Sequence, residues 1–179
     1  MTVSTAMILA AGRGRRLAPL TDERPKPLVR LAGATLIDHH LDRLVAAGFK
    51  RAVINLHHLG ELLRTHLEAR PDRGLELIFT EETELLETAG GIQAALPHLG
   101  EGPFAVVNGD VFTDYEFTRL RTAPIDALAH FVMVPAPPWA ARGDFELDVA
   151  PTGARTRLRL GAQARYTYAG LGLYTPEFF

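Results

Sequence analysis

Hydrophobic positions along this chain fall into short continuous runs that alternate with helical stripes. Residues 5–10, from Thr5 through Met7, Ile8 and Leu9 to Ala10, are almost wholly apolar and end in glycines, the pattern of a strand buried on both faces in the middle of a parallel sheet. A loop rich in Gly, Arg and Pro follows, from residue 11 to about 27. Over residues 35–47, Leu36, Ile37, His40, Leu41 and Leu44 share one helical face, and Gly48 stops the helix. Residues 52–55 read as a second strand, 59–67 as a second amphipathic helix with Pro71 just beyond, and 75–79 as a third strand. Residues 90–99 read as a helix stopped near Pro97, and 104–108 as a fourth, buried strand that runs straight into Gly109 and Asp110.

Strand-then-helix units in succession predict an α/β fold, a mixed but mostly parallel sheet flanked by helices with right-handed crossovers. Past Pro124 the pattern changes. Residues 127–134 read as a strand, Pro135, Pro137 and Pro138 mark a loop, and 145–149, 155–160 and 166–174 read as extra strands with hairpin-like spacing. These extra strands could form a lid over a site. Thr175, Pro176 and Glu177 spell a helix start, so the expectation is one domain over residues 1–179 that is cut short at its C-terminal end.

With 179 residues, 47% of them hydrophobic, the chain can bury a core of its own. A net charge of −2 argues against nucleic acid as the main partner, because such proteins carry a basic surplus. The absence of cysteine removes disulfides, thiolate metal sites and a cysteine nucleophile. No signal peptide or bilayer-length apolar run is visible, so a cytoplasmic protein with no membrane partner is expected. Nothing in the sequence fixes an oligomeric state.

Candidate chemistry begins directly after the first strand. Ala11, Gly12, Arg13, Gly14, Arg15 and Arg16 combine small residues, which let backbone N–H groups approach a ligand, with cations suited to phosphate. The loop lacks the Gly-Lys-Ser/Thr ending of a P-loop. It also lacks a dinucleotide fingerprint, since Leu17 stands at the third glycine and the second strand ends in Asn55 rather than an acid. Lys26 lies between Pro25 and Pro27, a stiff support for an amine that meets phosphate, although a solvated turn is the plain alternative. Asp110, at the end of a buried strand, suits Mg²⁺, which takes few carboxylates together with phosphate oxygens and waters. Asp114 reads as the cap of a following helix. Glu87, Thr88, Ala89, Gly90 and Gly91 read as a loop entering a helix, where N–H groups and a hydroxyl could meet a base or a sugar. Glu81, Glu82 and Glu84 read as solvated charges. The histidines carry no chelating spacing, and no Gly-x-Ser-x-Gly elbow marks a hydrolase.

Leu9–Leu17, Pro19-Leu20-Thr21 and Pro25-Lys26-Pro27-Leu28, followed by Leu36-Ile37-Asp38, Gly48-Phe49, residues 87–91 and Asn108-Gly109-Asp110, resemble the sugar-1-phosphate nucleotidyltransferases over essentially the whole chain. The resemblance implies a Rossmann-like nucleotidyltransferase fold, a nucleoside triphosphate and a sugar 1-phosphate as reactants, and Mg²⁺ as cofactor. Residues 86–91, 107–115 and 142–145 carry a finer likeness to members that act on UTP and N-acetylmuramate 1-phosphate in peptidoglycan recycling, with mannose-1-phosphate guanylyl transfer as the neighbouring alternative. By the same resemblance Ala11, Gly12, Arg13 and Gly14 would wrap the nucleotide, Arg16 the β and γ phosphates, and Lys26 the α-phosphate and the incoming phosphate. Glu82, Glu87 and Thr88 would lie near base and ribose, Asp110 on Mg²⁺, and Asn108, Gly143 and Asp144 near the sugar phosphate. The family's second metal-binding aspartate has no counterpart before the chain ends. A nucleotide-sugar glycosyltransferase would want an Asp-x-Asp, which is missing; a non-catalytic nucleotide-binding module is the other alternative.

Overall fold

A computed structural model describes residues 2–148 and 156–179. The chain runs β1 (Thr5–Leu9), α1 (Leu20–Glu23), β2 (Arg30–Leu31), β3 (Ala34–Thr35), α2 (Leu36–Ala47), β4 (Arg51–Leu56), α3 (Gly60–Glu68), β5 (Glu76–Glu81), α4 (Glu87–Leu99), β6 (Phe104–Asn108) and α5 (Phe117–Thr122). It continues through β7 (Ala129–Pro135), β8 (Glu146–Asp148), β9 (Arg157–Arg159) and β10 (Tyr166–Tyr174). The strand ends expected at Val149 and Arg155 lie outside the described residues. Two compact units divide the chain, one comprising Met1–His130 and Gly172–Phe179, the other Phe131–Leu171.

In the first unit β5, β4, β1 and β6 pair in that order, all parallel. The same sheet goes on from β6 to β10 and then β7, so it is mixed and mostly parallel, as expected. Met7, Ile8, Val53, Ile54, Val106 and Val107 are all buried, and because neighbours along a strand point to opposite faces, both faces of these central strands are covered. α4 packs on β1, β4 and β5, α3 packs on β4, and α2 packs on α5. Among the described residues no helix is long and apolar enough to cross a membrane.

Both ends of α2 follow local chemistry. The Thr35 Oγ1 accepts from the Asp38 N–H at 3.2 Å, and Gly48 closes α2 with φ of 84°. α4 departs from expectation at its start, which is Glu87 instead of residue 90. It ends at Leu99 as expected, with Pro97 inside its last turn. Proline removes the bond to the carbonyl of Gln93 and crowds it, and because that residue is exposed and the helix ends two residues later, water can replace the lost donor. Asp114 does not cap α5; Glu116 holds the N-cap position with no side-chain bond, and the Thr113 hydroxyl accepts from the Tyr115 N–H at 3.0 Å instead.

Polar groups tie the helices together. Asp38 meets His66 at 3.1 Å and also pairs with Arg70, linking α2 to the end of α3. Burial raises its carboxyl, but hydrogen bonds from Thr35 and His66 and the charges of His66 and Arg70 outweigh that and hold it below the usual value. Its contribution is therefore present above the ordinary carboxylate range and lost as pH falls through the lowered value.

His40, on the apolar face of α2, is 2% exposed and stacks on Phe117 with centroids 6.2 Å apart. Burial, with the charges of Arg43 and His39, pushes the imidazole down to about 4. The folded protein keeps it neutral while the unfolded chain takes a proton near 6.5, so stability is lost as pH falls from about 6.5 towards 4. Between pH 7 and pH 5 this term removes about 2 kcal/mol. Urea unfolding at both pH values should show that loss, and His40→Leu should flatten it; an equal loss in the variant would place its source elsewhere.

The second unit, taken by itself, contains an antiparallel hairpin in which Glu146 faces Arg159, Leu147 faces Leu158 and Asp148 faces Arg157. This matches the hairpin spacing expected for the extra strands.

Candidate active site

Parallel strand order decides where a ligand can enter. From β1 the chain builds outward to β4 and β5, then returns to place β6 on the other side of β1. The connections leaving β1 and β6 therefore diverge, and a crevice opens beyond their C-terminal ends. A cleft of about 320 Å³ lies there, lined at the four strand ends by Leu9 and Ala10, by Asn55, by Glu82, and by Asn108, Gly109 and Asp110.

The glycine-arginine loop forms one wall. Ala11 is buried, while Gly12, Arg13, Arg15 and Arg16 are exposed. Gly14 adopts φ of 63°, and a 3-10 turn over Arg15–Leu17 follows. The loop is anchored from below, where the Thr21 hydroxyl donates to the Gly14 carbonyl at 3.0 Å and His58 Nε2 donates to the Thr21 carbonyl at 2.9 Å. Arg15 and Arg16 line the cleft, but Arg13 is not among its lining residues.

Lys26 approaches from a second 3-10 turn, Lys26–Leu28, on which Pro25 and Pro27 are buried. Its Nζ donates to Asp110 Oδ2 at 2.5 Å. The pair is partly exposed, 22% for Lys26 and 42% for Asp110, so it adds at most about 1 kcal/mol and a ligand can open it cheaply. Asp110 owes its place to Gly109, whose N–H donates to the Leu9 carbonyl at 2.9 Å. A Cβ on Gly109 would stand 2.7 Å from that same oxygen, so only glycine lets β6 end this close to β1.

A third wall comes from the ends of β4 and β5 and the start of α4. Glu82, expected to be solvated, is 7% exposed. It accepts from Asn55 Nδ2 at 2.6 Å and from the Leu86 N–H at 3.1 Å, and these bonds offset the cost of burying the carboxylate. Leu85, Glu87 and Thr88 complete this wall. Glu87 has φ of 60°, a left-handed conformation that costs a residue other than glycine about 1 kcal/mol or more and that places the α4 entry against the cleft.

Ala11, Gly12, Gly14, Arg16, Lys26, Glu82, Glu87, Thr88, Asn108 and Asp110 thus share one cleft. Gly143 and Asp144 lie in the second unit. There the Gly143 N–H donates to the Ala164 carbonyl and the Asp144 N–H to the Tyr166 carbonyl, each at 2.8 Å, Thr167 donates to the Asp144 carboxylate, and both residues line a cleft of that unit. Sequence reasoning passed over Asn55, weighed only as the missing acid of a dinucleotide site. A polar residue closing an otherwise apolar strand was the available signal.

Cations from one loop, an amine from another and a carboxylate opposite them suit a polyphosphate and the charge that develops on it. Among the described residues no group of three or more His, Cys, Asp or Glu gathers as a metal cage. A lone exposed carboxylate fits Mg²⁺ completed by phosphate oxygens and water.

Comparison with known proteins places the chain in a family. The chain is 46% identical over 97% of its length to the N-acetylmuramate alpha-1-phosphate uridylyltransferase of Neisseria meningitidis serogroup B, and spans 76% of that protein. It is 54% identical to the protein of the same name from Caulobacter vibrioides over 59% of this chain and 45% of that one. Among solved structures, UDP-glucose pyrophosphorylase from Acinetobacter baumanii superposes with a TM-score of 0.79 at 16% identity, covering 98% of this chain and 75% of the other, a likeness of fold. Residues 5–140 match the nucleotidyl transferase family, and the chain belongs to it, among the sugar-1-phosphate nucleotidyltransferases.

Proposed function

We propose that this enzyme transfers a uridylyl group from UTP to N-acetylmuramate 1-phosphate, with Mg²⁺ at Asp110, releasing the nucleotide-sugar and pyrophosphate. Nucleotidyl transfer to a sugar 1-phosphate comes with the family, and the names of the relatives favour this base and this sugar. One observation carries the reading of the site: Lys26 and Asp110, 84 positions apart, meet at 2.5 Å in the cleft that Arg16 also lines. We read both compact units as parts of one nucleotidyltransferase domain, acting in the cytoplasm to return peptidoglycan sugars to use.

In this reading a sugar-phosphate oxygen attacks the α-phosphorus. The new P–O bond forms as the bond from that phosphorus to the bridging oxygen breaks, and pyrophosphate leaves with the electron pair. A phosphate monoester is already largely dianionic near pH 7, so the attack needs no general base. Catalysis is then alignment and charge neutralisation. Backbone N–H groups at Ala11, Gly12 and Gly14, with Arg13 at the rim, wrap the triphosphate, and Arg16 meets its β and γ phosphates. Lys26 leaves Asp110 to bridge the α-phosphate and the incoming phosphate. Glu82, Glu87 and Thr88 receive base and ribose, and Asn108, Gly143 and Asp144 serve the sugar phosphate. Asp110 would hold Mg²⁺, which supplies positive charge against the phosphate oxygens.

Pyrophosphate release from a panel of triphosphates and sugar 1-phosphates tests the reading. The highest kcat/KM is expected for UTP with N-acetylmuramate 1-phosphate. A maximum with GTP and mannose 1-phosphate would replace both assignments, and triphosphate binding without release from any pair would overturn the transfer.

A further inference from the structure

Asn55 takes no part in the transfer just described, yet it is 3% exposed and lines the cleft. Its side chain bonds in two directions at once. Oδ1 accepts from the Ala10 N–H at 2.7 Å, and Nδ2 donates to Glu82 Oε1 at 2.6 Å. The second Glu82 oxygen accepts from the Leu86 N–H at 3.1 Å. The amide can point only one way, because the Ala10 N–H requires an oxygen and the carboxylate requires an N–H.

These three bonds run in series across the floor of the cleft. Ala10 is where the chain leaves β1 for the glycine-arginine loop. Leu86 is the last residue before Glu87 and Thr88. Gly91 closes the arrangement from α4, since a Cβ there would lie 2.7 Å from Glu82 Oε1 and 3.0 Å from Asn55 Nδ2. Both donors that meet the Glu82 carboxylate are neutral, so the loss of either would leave a buried charge short of partners.

We infer that Asn55 is a positioning residue: paired with Glu82, it fixes the spacing between the phosphate-binding loop and the wall that receives base and ribose. It acts through the Ala10 and Leu86 N–H groups and does not touch the reacting atoms. This inference rests on the reading of the cleft as the triphosphate site.

A charge-swap series tests it. Asn55→Asp sets two carboxylates against each other, and KM for UTP should rise at least about tenfold with a smaller change in kcat. The double variant Asn55→Asp with Glu82→Gln rebuilds all three bonds, with the middle one now donated from position 82. Because Glu82 is itself assigned to base and ribose, this variant is read by amide exchange and not by turnover. The Ala10 and Leu86 N–H groups should exchange faster in Asn55→Ala and at the wild-type rate in the double variant. If Asn55→Asp does not fold, Asn55→Ala carries the KM measurement, with the same rise expected. The inference is overturned if the variant so measured has wild-type KM, if exchange is unchanged in Asn55→Ala, or if the double variant does not fold or exchanges as fast as Asn55→Ala. An inactive wild type with these exchange differences intact would sink the functional reading alone.

Discussion

Lys26→Ala should lower kcat/KM for pyrophosphate release by about 10²- to 10³-fold, the usual effect of deleting one preorganised donor aimed at developing charge. The amine is placed by a turn between two buried prolines, so little freedom is lost when it moves onto phosphate. Its ion pair with Asp110 is partly exposed and stabilises the fold by at most about 1 kcal/mol, so the melting temperature should hardly change. That separation of activity from stability marks a catalytic group. Lys26→Arg should not restore the rate, because a planar fork cannot replace a compact ammonium on the same short support. A Lys26→Ala enzyme with wild-type kcat/KM would remove the assignment.

Gly109→Ala should damage fold and activity together. The new methyl would sit 2.7 Å from the Leu9 carbonyl oxygen and 3.5 Å from Ile8 Cγ2, and the nearer contact is backbone in a central strand. β1 and β6 must separate at their ends, and the bond from the Gly109 N–H to Leu9 stretches. Overpacking of this kind costs about 2 kcal/mol, or roughly 4–8 °C in melting temperature for a chain of this size. Asp110, the next residue, moves with the strand, so kcat/KM should fall more than about tenfold. Gly12→Ala is the steric control, since a Cβ there meets nothing within 4 Å, and its melting temperature should match wild type. Equal melting temperatures for Gly109→Ala and wild type would refute the account.

The contrast between what the sequence made plain and what it hid has a physical cause. β1, β4 and β6 are continuous apolar runs because both of their faces are buried, and that pattern needs no knowledge of their neighbours. α2 announced its face through the spacing of its apolar residues and its C-terminal end through Gly48. The order of strands, by contrast, is set by packing between distant segments, and no local pattern shows that β10 lies beside β6. The start of α4 was misjudged because Thr88 is a weak helix former and two glycines follow at 90 and 91, and the close approach of Gly91 to Glu82 and Asn55 overrides that preference. Glu82 looked like one solvated acid among three because its partner Asn55 lies 27 positions away. Lys26 and Asp110 were nominated separately, and their juxtaposition rests on the β1–β6 pairing.

Because each wall of the cleft hangs from a different strand end, the chemistry is modular. In the proposed reading residues 85–88 face base and ribose, and they are joined to the loops bearing Arg16, Lys26 and Asp110 through the sheet and through the Asn55–Glu82 pair. A lineage could therefore exchange one nucleobase for another by rewriting a handful of positions in that segment, with the phosphate apparatus inherited intact. One scaffold can in this way supply many nucleotide-sugars.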